Sequence, residues 1–102
     1  MAIRQGTTPT HTFTVEMDAS DFKTVHIAYA QCNEVLFIRR DSDITLQGHA
    51  IITTLTQEET LMIDPDKIVA IQIRAVTYAG EAFTSDIMLV SAEMCLEKDV
   101  IE

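Results

Sequence analysis

The sequence predicts an all-β fold, a sandwich of two packed antiparallel sheets. Three observations lead there. Apolar and polar residues alternate with a period of two along most of the chain, as in strands with one face on a core. The alternating segments are short and recur at roughly 8–12 residues, with turn-forming clusters between them. One stretch alone breaks the alternation, and it carries the signature of a helix start.

His11-Thr12-Phe13-Thr14-Val15-Glu16-Met17 alternates cleanly, with Phe13, Val15 and Met17 on one face. Asp18-Ala19-Ser20-Asp21 is a turn cluster. From Thr24 to Gln31 the alternation resumes and puts Val25, Ile27 and Tyr29 together. Val35-Leu36-Phe37-Ile38 is a short apolar strand that ends in the polar turn Arg39 to Asp43. Ile44 to Gln47 is a brief strand stopped by Gly48, and His49 to Leu55 follows with Ile51, Thr53 and Leu55 inward. Thr56-Gln57-Glu58-Glu59 has the form of a capping box, and Asp64-Pro65 lies too close for more than a turn of helix. Ile68 to Tyr78 is the longest strand, with Ile71 and Ile73 inward, and Ala79-Gly80 is its turn. Ala82 to Ala92 returns antiparallel, with a change of phase between Phe83 and Val90 that predicts a bulge near Ser85-Asp86.

About seven strands, with one helical turn before a long final hairpin, are the pattern of an immunoglobulin-like antiparallel β-sandwich. There is no Trp, so the Cys–Trp–Cys signature of antibody domains is absent. A small β-barrel is the second architecture compatible with the pattern. No repeat or linker interrupts the chain, so residues 1–102 read as a single β-sandwich domain. Residues 1–10, polar and without periodicity, read as a flexible arm, and residues 93–102 as an acidic tail.

Composition narrows the function. Hydrophobic residues make up 47% of the chain, enough for one core. Sixteen Asp and Glu against seven Lys and Arg give a net charge of -9. Such a surface repels phosphate backbones and anionic lipid, so neither nucleic acid nor membrane is an expected partner. The sequence opens without an apolar signal segment, which leads to an expected location in a cytoplasm. Cys32 and Cys95 are too few for a disulfide framework and read as free thiols.

The residues that carry chemistry do not form a recognisable site. His11, His26 and His49 are far apart, and no C-x-x-C, H-x-H or H-E-x-x-H occurs, so no zinc site is assigned. Asp41-Ser42-Asp43 and Asp64-Pro65-Asp66 resemble Ca²⁺-binding pairs, but neither continues into an EF-hand loop, and turn chemistry accounts for both. Ser85 lacks a nucleophile elbow, and Gly6, Gly48 and Gly80 are isolated, so no phosphate loop exists. No catalytic residue, cofactor or metal is therefore assigned. An enzyme would need His26 or His49 to converge with a carboxylate or Cys95 in a cleft.

Arg4-Gln5-Gly6-Thr7-Thr8-Pro9-Thr10-His11-Thr12-Phe13 resembles the start of a family of small, roughly hundred-residue proteins encoded in bacteriophages and prophages. Leu55-Thr56-Gln57-Glu58-Glu59-Thr60, and Ile71-Gln72-Ile73-Arg74 with Ser85, are similar to that family as well. The resemblance covers nearly the whole chain and brings no active residues with it. It implies a virion structural or assembly protein (a tail, connector or decoration part) carried among head and tail morphogenesis genes. Such a protein is made in bacterial cytoplasm and works through contacts with other virion proteins or with itself as an oligomer. The expected contact residues are Gln5, Thr7, Thr8 and Pro9 in the arm and Leu96, Val100 and Ile101 in the tail. The alternative function is a ligand- or carbohydrate-binding sandwich module, which would require Tyr29 and Tyr78 to be exposed together on one face.

Overall fold

The computed structural model describes residues 2–102, so Met1, the first residue of the expected arm, lies outside the described residues. Among the described residues there are nine strands and one short α-helix. They are β1 (Ala2–Arg4), β2 (Thr10–Thr14), β3 (Phe22–Gln31), β4 (Glu34–Arg39), β5 (Ile44–Gln47), β6 (Ala50–Thr54), α1 (Gln57–Leu61), β7 (Val69–Thr77), β8 (Ala82–Thr84) and β9 (Met88–Glu93). One sheet has the order β1-β9-β7-β3-β4, with β8 pairing with β7 beyond the end of β9, and the other has the order β2-β6-β5. The sheets remain separate, which gives a sandwich and not a closed barrel.

The antiparallel pair β3 and β7 forms the centre, in register from Thr24 opposite Val76 to Ala30 opposite Ala70, with a shift of one residue before Phe22 meets Thr77. Val25, Ile27 and Tyr29 from β3 and Val69, Ile71 and Ile73 from β7 are buried, following the period of two. Phe13, Ile51 and Leu55 meet them from the second sheet. The capping box forms as its sequence predicts. Glu59 N–H donates to Thr56 Oγ1 at 3.1 Å, and Thr56 N–H donates to Glu59 Oε1 at 2.8 Å.

The predicted bulge is present. Partners of β7 in β9 are offset by one residue from its partners in β8. Ser85 occupies the break and repairs the ladder, because its Oγ accepts from Ile73 N at 2.9 Å. The hairpin between β3 and β4 turns on Cys32 and Asn33, both with positive φ (51° and 64°), the backbone of a type I′ turn. No helix among the described residues is long and apolar enough to cross a membrane.

One expectation about the ends of the chain is corrected. The start of the expected arm, Ala2–Arg4, is a strand, because β1 pairs parallel with β9 from Ala2 opposite Ser91 to Arg4 opposite Glu93. Ile3 is fully buried, and Gln5 N–H continues the ladder to Glu93 O at 2.9 Å. A three-residue strand is too short to show a period, which is why it reads as irregular polar sequence. The tail, by contrast, leaves β9 at Glu93 and takes no regular structure. It is tied to α1 through Gln57, which donates to Ile101 O at 2.8 Å and accepts from Ile101 N at 3.0 Å.

Ile3→Ala is expected to cost about 2–4 kcal/mol of stability in urea unfolding, the usual loss for a buried aliphatic side chain. A free arm would leave the unfolding midpoint unchanged.

Candidate functional site

Two polar joints hold the sheets together. His11 of β2 is only 3% exposed, and its Nδ1 lies 2.7 Å from the Tyr29 hydroxyl of β3, so this hydrogen bond crosses the interior. The Tyr29 ring also stacks on Phe37 of β4 at 4.8 Å. Burial pushes the Tyr29 phenol well above its ordinary range, and burial pushes the His11 imidazole down from 6.5. The other ring nitrogen of His11, Nε2, is buried without a partner.

The second joint is Arg39 at the end of β4. Its guanidinium meets both Glu59 oxygens at 2.9 and 3.0 Å. It also donates to Thr54 O at 2.8 Å and to Thr53 Oγ1 at 3.2 Å, which joins β4 to β6 and α1.

The edge of the three-stranded sheet is left open. Val15 N–H donates to His49 O at 2.7 Å, and Leu55 N–H donates to Pro9 O at 3.0 Å. Antiparallel bonding alternates along a strand. In the register of β2 with β6, His11 and Phe13 therefore bond inward, while the backbone groups of Thr10, Thr12 and Thr14 face the other way. No strand among the described residues lies on that side. Beside this edge the sheets part around a cleft of about 620 Å³. Thr12 and Thr14 form its lip, and Phe13, Val15, Met17, Phe22, Phe83 and Met88 supply its apolar lining. Val15 and Met17 point inward as the alternation predicts. Because β2 ends at Thr14 and no neighbouring strand covers them, they are only partly buried.

The residues expected to make contacts are scattered. Gln5 is 6% exposed and serves the fold: its Nε2 donates to Ile63 O at 2.7 Å, and its Oε1 accepts from Cys95 N at 3.2 Å and from Lys98 Nζ. Thr7 is exposed but caps Arg4 O at 2.7 Å, and its own carbonyl accepts from Thr60 Oγ1 at 2.9 Å. Thr8 and Val100 line one shallow depression with Gln57, while Pro9 is half-buried. Leu96 is 91% exposed, and Ile101 is also largely in solvent. The structure thus brings Thr8 and Val100 together and leaves Gln5 inside.

Tyr29 is fully buried and Tyr78 is 74% exposed, so the two do not share a surface. His26 Nε2 stands 3.9 Å from Asp41 Oδ2, and His49 Nδ1 is bonded to Met17 O at 2.8 Å. Among the described residues, no three His, Cys, Asp or Glu side chains gather to hold a metal ion. Both cysteines are free.

No family model and no curated protein matches this chain. Solved structures do. The immunoglobulin-like domain of mouse leukocyte-associated immunoglobulin-like receptor 1, crystallised as a strand-swapped dimer, aligns with a TM-score of 0.50. It covers 90% of this chain and 85% of that one, at 6% identity. The V domain of amphioxus IgVJ-C2 covers 91% of this chain and 99% of its own, at 9% identity and a TM-score of 0.36. The fold is an immunoglobulin-like sandwich. At these identities, the similarity extends no further than the fold.

Removing the Arg39 side chain strands the Glu59 carboxylate and breaks two inter-sheet bonds. Arg39→Ala is expected to cost about 2–4 kcal/mol in thermal unfolding, and Arg39→Lys roughly half of that, because an ammonium cannot reproduce the fork.

His11 gives a pH dependence of defined sign. The unfolded chain takes up a proton near pH 6.5 and the folded chain resists it, so stability is complete above that pH and falls as pH drops below it. The urea midpoint is expected to decline from about pH 6.5 to about pH 5, with a shallower decline for His11→Gln.

Proposed function

We propose that this chain is a non-catalytic protein-interaction module that docks partners along the open edge of β2. Its proposed setting is a phage or prophage virion, as a structural or assembly component. The observation that carries the docking reading is the row of outward backbone groups at Thr10, Thr12 and Thr14 beside an uncovered apolar cleft. An unpaired edge is a ready template for another strand, and the cleft rewards the side chains such a strand would bring. The neighbour that forms a strand-swapped dimer supports strand exchange as a chemistry open to this fold. The resemblance to head and tail morphogenesis proteins supports the setting. The exposed Leu96 and Ile101 give the tail a second, lesser contact surface.

The test is co-expression with the products of the genes beside its own. One of them is expected to co-purify with the chain and to slow amide hydrogen exchange at Thr12 and Thr14 in the complex. No complex with any of them would overturn the assembly role, and a complex that leaves those amides unprotected would move the contact off β2.

A further inference from the structure

The electrostatics of the cleft identify what kind of strand fits it, taking the β2 edge to be the docking edge. Glu16 lines the cleft itself. Asp21 and Glu81 line a smaller hollow, of about 460 Å³, that shares Met17 and Phe83 with it. In the chain Asp18 follows Met17 and Asp86 follows Ser85, while Lys23 follows Phe22 and Arg74 follows Ile73, so these neighbours of the lining balance in charge. Asp18 is firmly ionised, because hydrogen bonds from Ser20 N and Oγ hold its carboxyl below the usual range. None of the seven Lys and Arg lines either hollow. The charged side chains that line the two hollows, Glu16, Asp21 and Glu81, are therefore all acidic, around an apolar floor.

That charge decides between occupants. A second copy of the chain would bring a net charge of -9 toward an already acidic rim. Its one adjacent basic pair, Arg39-Arg40, has Arg39 already committed to Glu59. Like charges brought together at an interface select against pairing, whereas opposite charges steer and align it. The lining from Thr12 to Met17 sets the length of an occupant at about 5–7 extended residues, at roughly 3.3 Å each.

We infer that the cleft beside β2 takes an extended segment of a different protein, with alternating apolar side chains for the floor and Lys or Arg flanking them for the rim. The segment pairs with Thr10, Thr12 and Thr14 and places every second side chain between the sheets.

The probes are capped synthetic peptides of alternating Val and Thr, flanked by two Lys or by two Glu at each end, titrated into the ¹⁵N-labelled full chain. The Lys-flanked peptide is expected to shift the Thr12 and Thr14 amides and to bind about tenfold more tightly than the Glu-flanked one at low salt. The gap should shrink as ionic strength rises. Glu16→Lys combined with Glu81→Lys is expected to reverse the preference.

Thr12→Pro removes an outward N–H, which an edge strand tolerates, and should abolish binding. Methylating the peptide's own edge-facing nitrogens should abolish it as well, without touching the protein. Equal binding of both peptides at Thr12 and Thr14 would overturn the basic partner while leaving the docking edge in place. Failure of both peptides to perturb β2 would overturn the basic partner and the docking edge together. Protection of Thr12 in the chain alone, with a doubled solution mass, would make a second copy the occupant and overturn the inference.

Discussion

Arg39 is the point on which the two halves of the sandwich depend. Apolar packing pulls two sheets together without fixing how far one slides along the other. A guanidinium has a fixed planar fork, so its bonds to Glu59, Thr53 and Thr54 set the position of β4 against β6 and α1. Glu59 also closes the capping box, which means that the start of α1 and the alignment of the sheets are set by one carboxylate. His11 and Tyr29 make a second, uncharged joint farther inside, and with both cysteines free no disulfide spans the sheets. A domain without that covalent bridge relies on hydrogen bonds whose strength comes from exclusion of water.

Much of this could be read from the sequence where a local rule had room to repeat. The inward sets on β3, β6 and β7 follow from alternation over five or more residues. The helical turn follows from the spacing of Thr56 and Glu59, and the bulge follows from a phase change that only one extra residue can produce. Long-range relations were not legible. Three residues of β1 are below the length at which a period shows, and their role depends on a partner almost ninety positions away. Gln5 reads as a polar arm residue but is buried, because Ile63, Cys95 and Lys98 converge on its amide. The sequence marks Val15 and Met17 as inward-facing, yet it cannot say that nothing covers them.

The site follows from that last point. Strand identity is a local property, whereas an edge is defined by what is missing beside it. Thr10, Thr12 and Thr14 look like the solvent face of an ordinary strand. Their backbone groups become available only because β1 crosses to the other sheet and leaves β2 with one neighbour. The same crossing leaves the floor beneath them uncovered, so one topological choice creates both the hydrogen-bonding rail and the apolar hollow.

The parallel pairing of β1 with β9 also sets when the domain can be completed. Ala2 finds its partner at Ser91, so β1 waits for a strand made almost ninety residues later. At synthesis rates of about 5–20 residues per second, that wait is on the order of 5–20 seconds. Over that interval Ile3 and the strands that should cover it stay exposed, and closing so long a loop is slow in itself. The buried place of Ile3 is therefore filled late: its side chain has no cover until the segment from Ser91 to Glu93 has been made.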